Sequence, residues 1–469
     1  MTNFSINSLR KLYKLFIISV QGTEKEFTTG SINKAIFMLS IPMILEMVME
    51  SLFAVVDVFY VSQVGTNAVA TVGLTESMIT LVYSVSIGLS MAVTAMVARR
   101  VGEKNTDAAG TVAFQAMIVG VAVSLVIGVI GIVYAKDMLA LMGAEPALIE
   151  EGWRYTAILI GGNMSIMMLF LINAIFRGAG DASIAMRSLW IANGLNLILD
   201  PLFIFGFWIV PAYGVEGAAI ATTIGRSVGV LYQLTRLFGD KAIVRLTAKN
   251  FVLQWNIMKS MLKLSAGGMG QFLIESASWI FLIRVLSVFG SDVLAGYTIA
   301  VRVIIFGILP SWGMANAAAT LVGQNLGAKE PERAETSVWR TAKFNMIFLG
   351  SISLIFILGA EPIMLLFTST MEVVGHGVLA LQVICLGYMF FAYGMVVSQA
   401  FNGAGDTKTP TIINVVSFWL IQIPLSYLLA VSLGMGPLGV FISIAGCHSL
   451  HAIIAIIIFR KGRWKEVVV

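Results

Sequence analysis

Six carboxylates fall where the sequence is otherwise apolar: Glu46, Glu50, Asp57, Glu76, Asp200 and Glu275. Three of them sit in LEMVMESLFAVVDVF (residues 45–59), spaced four and seven apart, so on a helix they form one stripe. An ionised carboxylate at the centre of a bilayer costs at least roughly 2.5–3.5 kcal/mol. Such a group either pairs with a buried cation, here Arg226, Arg284 or Arg302, or handles an ion as part of its function. Pairing or protonation is the simpler role for Glu46 and Glu76, and ion handling for Asp57, Asp200 and Glu275. In NLILD (196–200), Asn196 and Asp200 share a helix face at i,i+4 and offer an oxygen set suited to Na⁺.

Other chemistries find little support. Cys385 and Cys447 form no CxxC, and His376, His448 and His451 form no HExxH. RGAGD (177–181) and NGAGD (402–406) lack the GxxxxGK[ST] of a phosphate loop and read as tight turns, with Asp181 or Asp406 capping the next helix. No nucleophile–base pair argues for an enzyme, and no cofactor is expected. The 25 Met and 28 Phe residues serve either packing or an adaptable apolar cavity. Phe390 and Phe391 are the candidates for the cavity.

The elements that must carry these groups are membrane spans. The chain has 469 residues, of which 58% are hydrophobic and only 12% charged. Mostly apolar stretches of 20 or more residues recur along it, as a helix crossing about 30 Å of hydrocarbon requires. They predict an all-α integral membrane protein of twelve spans, at 35–62, 69–98, 112–135, 153–176, 187–208, 215–236, 257–286, 293–322, 340–360, 377–401, 411–433 and 438–459. LRKLYKLFIISV (9–20) is too short to span and reads as an amphipathic surface segment. Pro42, Pro201 and Pro424 are sites where spans can bend.

Orientation follows from the positive charges. With the N-terminus inside, the inner segments hold Arg10, Lys11, Lys14, Lys25 and Lys34, then Arg99, Arg100 and Lys104, and then Arg236, Lys241, Arg245 and Lys249, among others. The outer segments hold only Lys136 and Arg154. This bias puts both termini in the cytoplasm of a cell-membrane protein and needs no nucleic-acid partner to explain a net charge of +5.

The chain also repeats itself. Glu50-Ser51 falls on Glu275-Ser276, Gly65 on Gly290, VARRVGEK (97–104) on VGQNLGAK (322–329) and RGAGD on NGAGD, all at one offset of 225 residues. After a three-residue gap, GVEG (214–217) falls on GPLG (436–439). Each half holds an even number of spans, so the two six-helix bundles should sit the same way up, related by a pseudo-two-fold axis along the membrane normal. The expected division is an N-terminal segment (1–33), a first lobe (34–238), a basic linker (239–256), a second lobe (257–460) and a tail (461–469).

With VVDVFYVSQVG (55–65), the paired loops, the two GAGD turns and NLILDP (196–201), the sequence resembles the MATE (multidrug and toxic compound extrusion) family over about residues 33–460. The resemblance implies export of organic cations or other amphipathic compounds in exchange for H⁺ or Na⁺. It implies that Asp57 is the first-span coupling carboxylate, joined by Asn196 and Asp200 as in the DinF-like branch, with Thr222 and Asn173 as further polar members. Glu275 is similar to a span-7 glutamate of the NorM-like branch, but the span-10 acid of that branch falls near Phe391 and is missing. Coupling through the first half is therefore expected, with Na⁺ or H⁺ at Asp57, Asn196 and Asp200, and with Glu275, Glu50, Phe390 and Phe391 for substrate or a second cation.

The expectation is a monomeric, ion-coupled exporter of small molecules that works by alternating access. A lipid-linked glycan flippase would want a basic cavity, for which Arg226, Arg284 and Arg302 are few and scattered. A passive channel would want rings of like side chains, which one acidic stripe does not supply. A non-transporting scaffold gives the acids no purpose.

Overall fold

The computed structural model describes residues 6–22, 27–240 and 242–469; Lys25 and Lys241 lie outside them. The first half runs α1 (Ile6–Gln21), α2 (Ile32–Ser62), α3 (Thr66–Gly102), α4 (Thr106–Val133), α5 (Ala135–Leu141), α6 (Pro146–Gly161), α7 (Asn163–Ala179), α8 (Ala182–Phe205) and α9 (Val215–Leu237). The second runs α10 (Trp255–Leu286), α11 (Ser291–Gly327), α12 (Pro331–Leu358), α13 (Ala360–Leu365), α14 (Met371–Ala404), α15 (Lys408–Asn414), α16 (Ile423–Tyr427) and α17 (Pro437–Arg460). Among the described residues the only β-pairing is an isolated bridge between Phe207 and Val210.

Eleven helical stretches among the described residues are long and apolar enough to cross a bilayer, and each overlaps an expected span. The expected sixth span is helix α9, which is not among the eleven. Its 23 residues reach about 34 Å, but Glu216, Arg226, Gln233 and Arg236 dilute its apolar character. The expected fourth span is two helices. Gly161 and Gly162 weaken the helix there, and the buried Asn163 side chain donates to Ile160 O (2.7 Å) and Ser124 O (3.0 Å), tying the junction to α4. Around Pro424 the eleventh span loosens into π-helix at Val415–Gln422 and Leu428–Ser432, whereas α2 and α8 run through Pro42 and Pro201 unbroken.

The offset recurs in backbone conformation. Gly180 and Gly405 both close their helices at φ 91°, a left-handed geometry that glycine tolerates without Cβ strain. Lys104 and Lys329 pair likewise, at φ 60° and 61°. Asp406 caps the helix after its turn, accepting from Thr409 N at 3.1 Å. Asp181 makes no such cap and takes the Ser183 hydroxyl at 2.9 Å.

Contacts between the halves are reciprocal. A Cβ on Gly102 would lie 2.0 Å from Gln324 O, and one on Gly327 would lie 2.1 Å from Arg99 O. Gly88 abuts α10 at Ser265 O, and Gly313 abuts α2 at Met43 O. At the other ends of α3 and α11, Gly65 and Gly290 have open space around them. The closed side is further tied by the chain's last residues. Arg99 donates to Ala404 O (3.3 Å) and Val467 O (2.8 Å), and Arg100 to Val469 O (3.0 Å). Trp464 is buried and stacks on Phe459, while Lys465 reaches Glu332 (2.8 Å) and Glu335 (2.6 Å). Hydrogen bonds to those two carboxylates hold the Lys465 ammonium above the usual lysine range. The expected amphipathic segment is helix α1; Arg187 of α8 donates to its end at Val20 O (2.8 Å) and Gln21 O (3.0 Å).

Candidate functional site

Helix α2 packs against α8 and α11, which turns its acidic stripe toward protein. Each acid meets a different environment. Glu46, only 2% exposed, accepts from Arg177 (3.2 Å) and from Asn173 Nδ2 (3.1 Å). Asn173 Oδ1 in turn accepts from Ser188 (3.0 Å) and Gln233 (2.5 Å). Glu46 is thus the anchor of a buried polar knot. Its cation is Arg177, not one of the three arginines expected from sequence. Asn173 belongs to this knot and not beside Asp200, because its amide is already engaged on both sides.

Glu50 is half-buried. It accepts from Asn193 (3.1 Å) and lies 3.9 Å from the Arg226 guanidinium, which donates to the Tyr83 hydroxyl at 3.0 Å. Arg226 therefore fills the pairing role that the sequence allowed it. Arg284 and Arg302 are exposed.

Deeper along the stripe, Asp57 has a buried oxygen, Oδ1, with no partner. Asp200 is fully buried. With its amide turned to satisfy both ends, Asn196 donates to Asp200 Oδ2 at 2.7 Å and accepts from Thr222 N at 3.0 Å and Thr222 Oγ1 at 3.1 Å. The charges of Asp57 and Asp200 act on each other, and Glu76 acts on Asp57. Asn196, Asp200 and Thr222 are therefore one hydrogen-bonded unit, with Asp57 its electrostatic neighbour. Two mutually repelling carboxylates in a low-dielectric site favour the uptake of a cation or a proton. Among the described residues no group of three or more His, Cys, Asp or Glu side chains could hold a metal ion.

A cavity of about 560 Å³ opens in the second half, and one of about 220 Å³ adjoins it; they share Ile87, Met91, Leu309, Trp312, Gln399 and Asn402. Glu50 and Arg177 line the smaller one, and Glu275, Phe272, Trp279, Phe391 and Phe418 line the larger. Glu275 makes no hydrogen bond or ion pair among the described residues. Phe390 is 53% exposed and does not line the cavity, since the helix turns its side chain about 100° from that of Phe391.

Sequence reasoning missed Arg177 as the partner of Glu46, yet a signal was there. At the 225-residue offset Glu46 falls on Gln271 and Arg177 on Asn402. Gln271 and Asn402 bond to each other at 2.9 and 3.1 Å, so the same two positions hold a charged pair in one half and a neutral pair in the other.

A family model described as MatE matches residues 42–202 and again residues 268–428. The chain belongs to the MatE family. The two matches are spaced, to within a residue, as the repeat is. This MatE-family chain is 24% identical over 435 residues to a protein named probable multidrug resistance protein NorM from Thermotoga maritima, covering 93% of this chain and 94% of that one. It is 19% identical to the multidrug export protein MepA of Staphylococcus aureus, covering 92% and 94%. A crystal structure of MATE in the straight conformation superposes with a TM-score of 0.88 at 27% identity, covering 96% of this chain and 99% of the other. An outward-facing multidrug resistance MATE family transporter of the MOP superfamily gives the same score and identity, covering 95% and 99%. MatE-family proteins are multi-pass membrane transporters, not enzymes, and this one shares their fold.

Proposed function

We propose that this MatE-family transporter is a secondary active exporter of organic cations or amphipathic compounds, driven by exchange for H⁺ or Na⁺. The observation that carries the reading is Glu275, an unpartnered carboxylate in a cavity walled by Phe272, Trp279, Phe391 and Phe418. Such a site suits a flat, positively charged molecule, through charge attraction and cation–π contact. The coupling ion binds in the first half at Asp57, Asp200 and Asn196, with Thr222 beside them. Moving one charge through 100 mV supplies roughly 2.3 kcal/mol.

In this reading α9 is the sixth of twelve spans, and the chain forms two six-helix lobes about an axis along the membrane normal. The reciprocal contacts of Gly102 with Gln324 and of Gly327 with Arg99 support that symmetry. The basic ends at Arg99, Arg100 and Lys329 face the cytoplasm, so the closed side is cytoplasmic and the cavity faces outward. Both termini lie in the cytoplasm, and the monomer is the working unit.

The test is uptake of ethidium into inverted vesicles under an imposed pH or Na⁺ gradient. Asp57→Asn and Asp200→Asn proteins should lose gradient-driven uptake, and undiminished transport by both would sink the coupling assignment. A glycan flippase is not favoured. Among the described residues the only arginine that lines the two cavities is Arg177, and Glu46 already neutralises it.

A further inference from the structure

Past the GAGD turns the spacing between the halves shortens from 225 to 222 residues, as GVEG and GPLG show, and at that spacing Arg226 falls on His448. Arg226 is the cation beside Glu50, and Glu50 falls on Glu275. His448 therefore stands where the second half would keep the cation for Glu275. A permanent charge in one lobe is replaced by a group that can gain and lose one.

The surroundings of His448 fit that exchange. Its ring is 3% exposed, lines the same cavity as Glu275 and makes no hydrogen bond among the described residues; its Nδ1 is fully buried without a partner. Phe391 lies near-perpendicular at 4.2 Å between ring centroids and Phe418 tilted at 5.5 Å, so aromatic side chains enclose the ring. One turn on, His451 also lines the cavity and is also 3% exposed. Its Nε2 donates to Asn414 Oδ1 at 3.1 Å, which leaves Nδ1 as an acceptor with no donor. Helix α14 brings Cys385 and Tyr388 toward this part of α17, and α10 brings Glu275. Tyr297 of α11 stacks on Phe441, farther along α17, and Cys447 is the remaining titratable neighbour on α17 itself. The π-helical Val415–Gln422 contributes no titratable group, and Lys408 and Tyr427 are exposed. Among the described residues Glu275 is the one carboxylate that lines this cavity.

We propose that His448 and His451 form a proton-binding site in the carboxy-terminal cavity, and that a proton there and an organic cation at Glu275 exclude each other. With both rings neutral, Glu275 lacks a counter-charge and takes the organic cation. With one ring protonated, the imidazolium neutralises Glu275 and the organic cation leaves. Side by side at i,i+3, the rings hold one proton between them. At this site one proton trades for one monovalent cation, in addition to the ion bound in the first half. The inference rests on the reading of this cavity as the substrate site.

The experiment is ethidium binding to the detergent-solubilised full chain, followed by fluorescence between pH 8 and pH 5, with an indicator dye reporting protons released. The wild-type protein should bind about tenfold more weakly at pH 5 and release one proton per ethidium bound there. The double variant His448→Gln with His451→Gln should bind equally well at both pH values and release none. His448→Arg, which restores the permanent cation of the first half, should bind weakly at both. A double variant with wild-type acid sensitivity overturns the proposal. So does a wild-type protein that releases no proton at any pH in the range, a result that needs no variant to fold. Glu275→Gln separates the two ideas. Undiminished ethidium binding by that variant removes the substrate site itself, whereas its loss, together with unchanged acid sensitivity in the double histidine variant, removes only the histidines.

Discussion

Gln271 and Asn402 bond to each other through both ends of their amides, at the positions that Glu46 and Arg177 fill with an ion pair in the other half. The two pairs solve one packing problem with different electrostatics. A buried ion pair broken on one side costs about 3–5 kcal/mol, whereas replacing both members by neutral groups is often harmless. Arg177→Asn should therefore lower the melting temperature of the solubilised protein sharply. The double variant Glu46→Gln with Arg177→Asn should recover most of the loss, because the second half already uses that arrangement. A double variant no more stable than the single one would contradict the equivalence of the two pairs.

Glu50 and Glu275 invite the opposite comparison. Removing the charge of Glu50 leaves the buried Arg226 with only the Tyr83 hydroxyl. Glu50→Gln should cost about 1–3 kcal/mol. Removing the charge of Glu275 frees the cavity of an unpaired carboxylate, so Glu275→Gln should melt at or above the wild-type temperature in the absence of substrate. Thermal unfolding of the two variants side by side checks the difference.

The closed side of the molecule is set by two glycines. An added Cβ at Gly102 or Gly327 would meet a backbone carbonyl of the other half at 2.0 or 2.1 Å, and a backbone oxygen cannot rotate away as a side chain can. Gly102→Ala and Gly327→Ala should each force this side apart. Spin labels at the exposed Thr106 and Glu330 should then report a longer mean separation than in the wild-type protein. An unchanged distance distribution would count against the contact.

Asn163 holds the junction of α6 and α7 by donating to two backbone carbonyls. Asn163→Ala removes both buried hydrogen bonds and should destabilise the fold by about 1–3 kcal/mol. Denaturant or thermal melts of the purified variant measure it, and a neutral result would mean that the break needs no side-chain support.

Much of this was legible in the sequence, for reasons that follow from the physics of the bilayer. A span must be apolar for 20 or so residues, so the eleven apolar helices announce themselves, and α9 stands out as the one that polar residues dilute. A duplicated chain repeats its special backbone positions, so Gly180 and Gly405 could be paired before any coordinates. Asn196 and Asp200 share a helix face by spacing alone, and their hydrogen bond follows from it. Partners on different helices were harder. Arg177 and Glu46 are 131 residues apart, and no local rule joins them. The break at Gly162 was not read from the sequence, and the tie from Asn163 across to Ser124 of α4 shows only in the fold. His448 was passed over because it matches no metal motif; its meaning comes from the cavity it lines and from the register that puts it opposite Arg226.

The last residues of the chain are stitched to the tip of α3, where Arg99 grips Val467 and Arg100 grips Val469. Those bonds cross from the second half to the first, so they cannot survive a parting of the halves on that side. The segment is thus a built-in clock for the transport cycle. Amide deuterium uptake at residues 464–469 should run slowly while this side stays shut and quicken each time it opens. A substrate or an ion gradient that changes how long the transporter dwells in either state can then be read from the unlabelled protein.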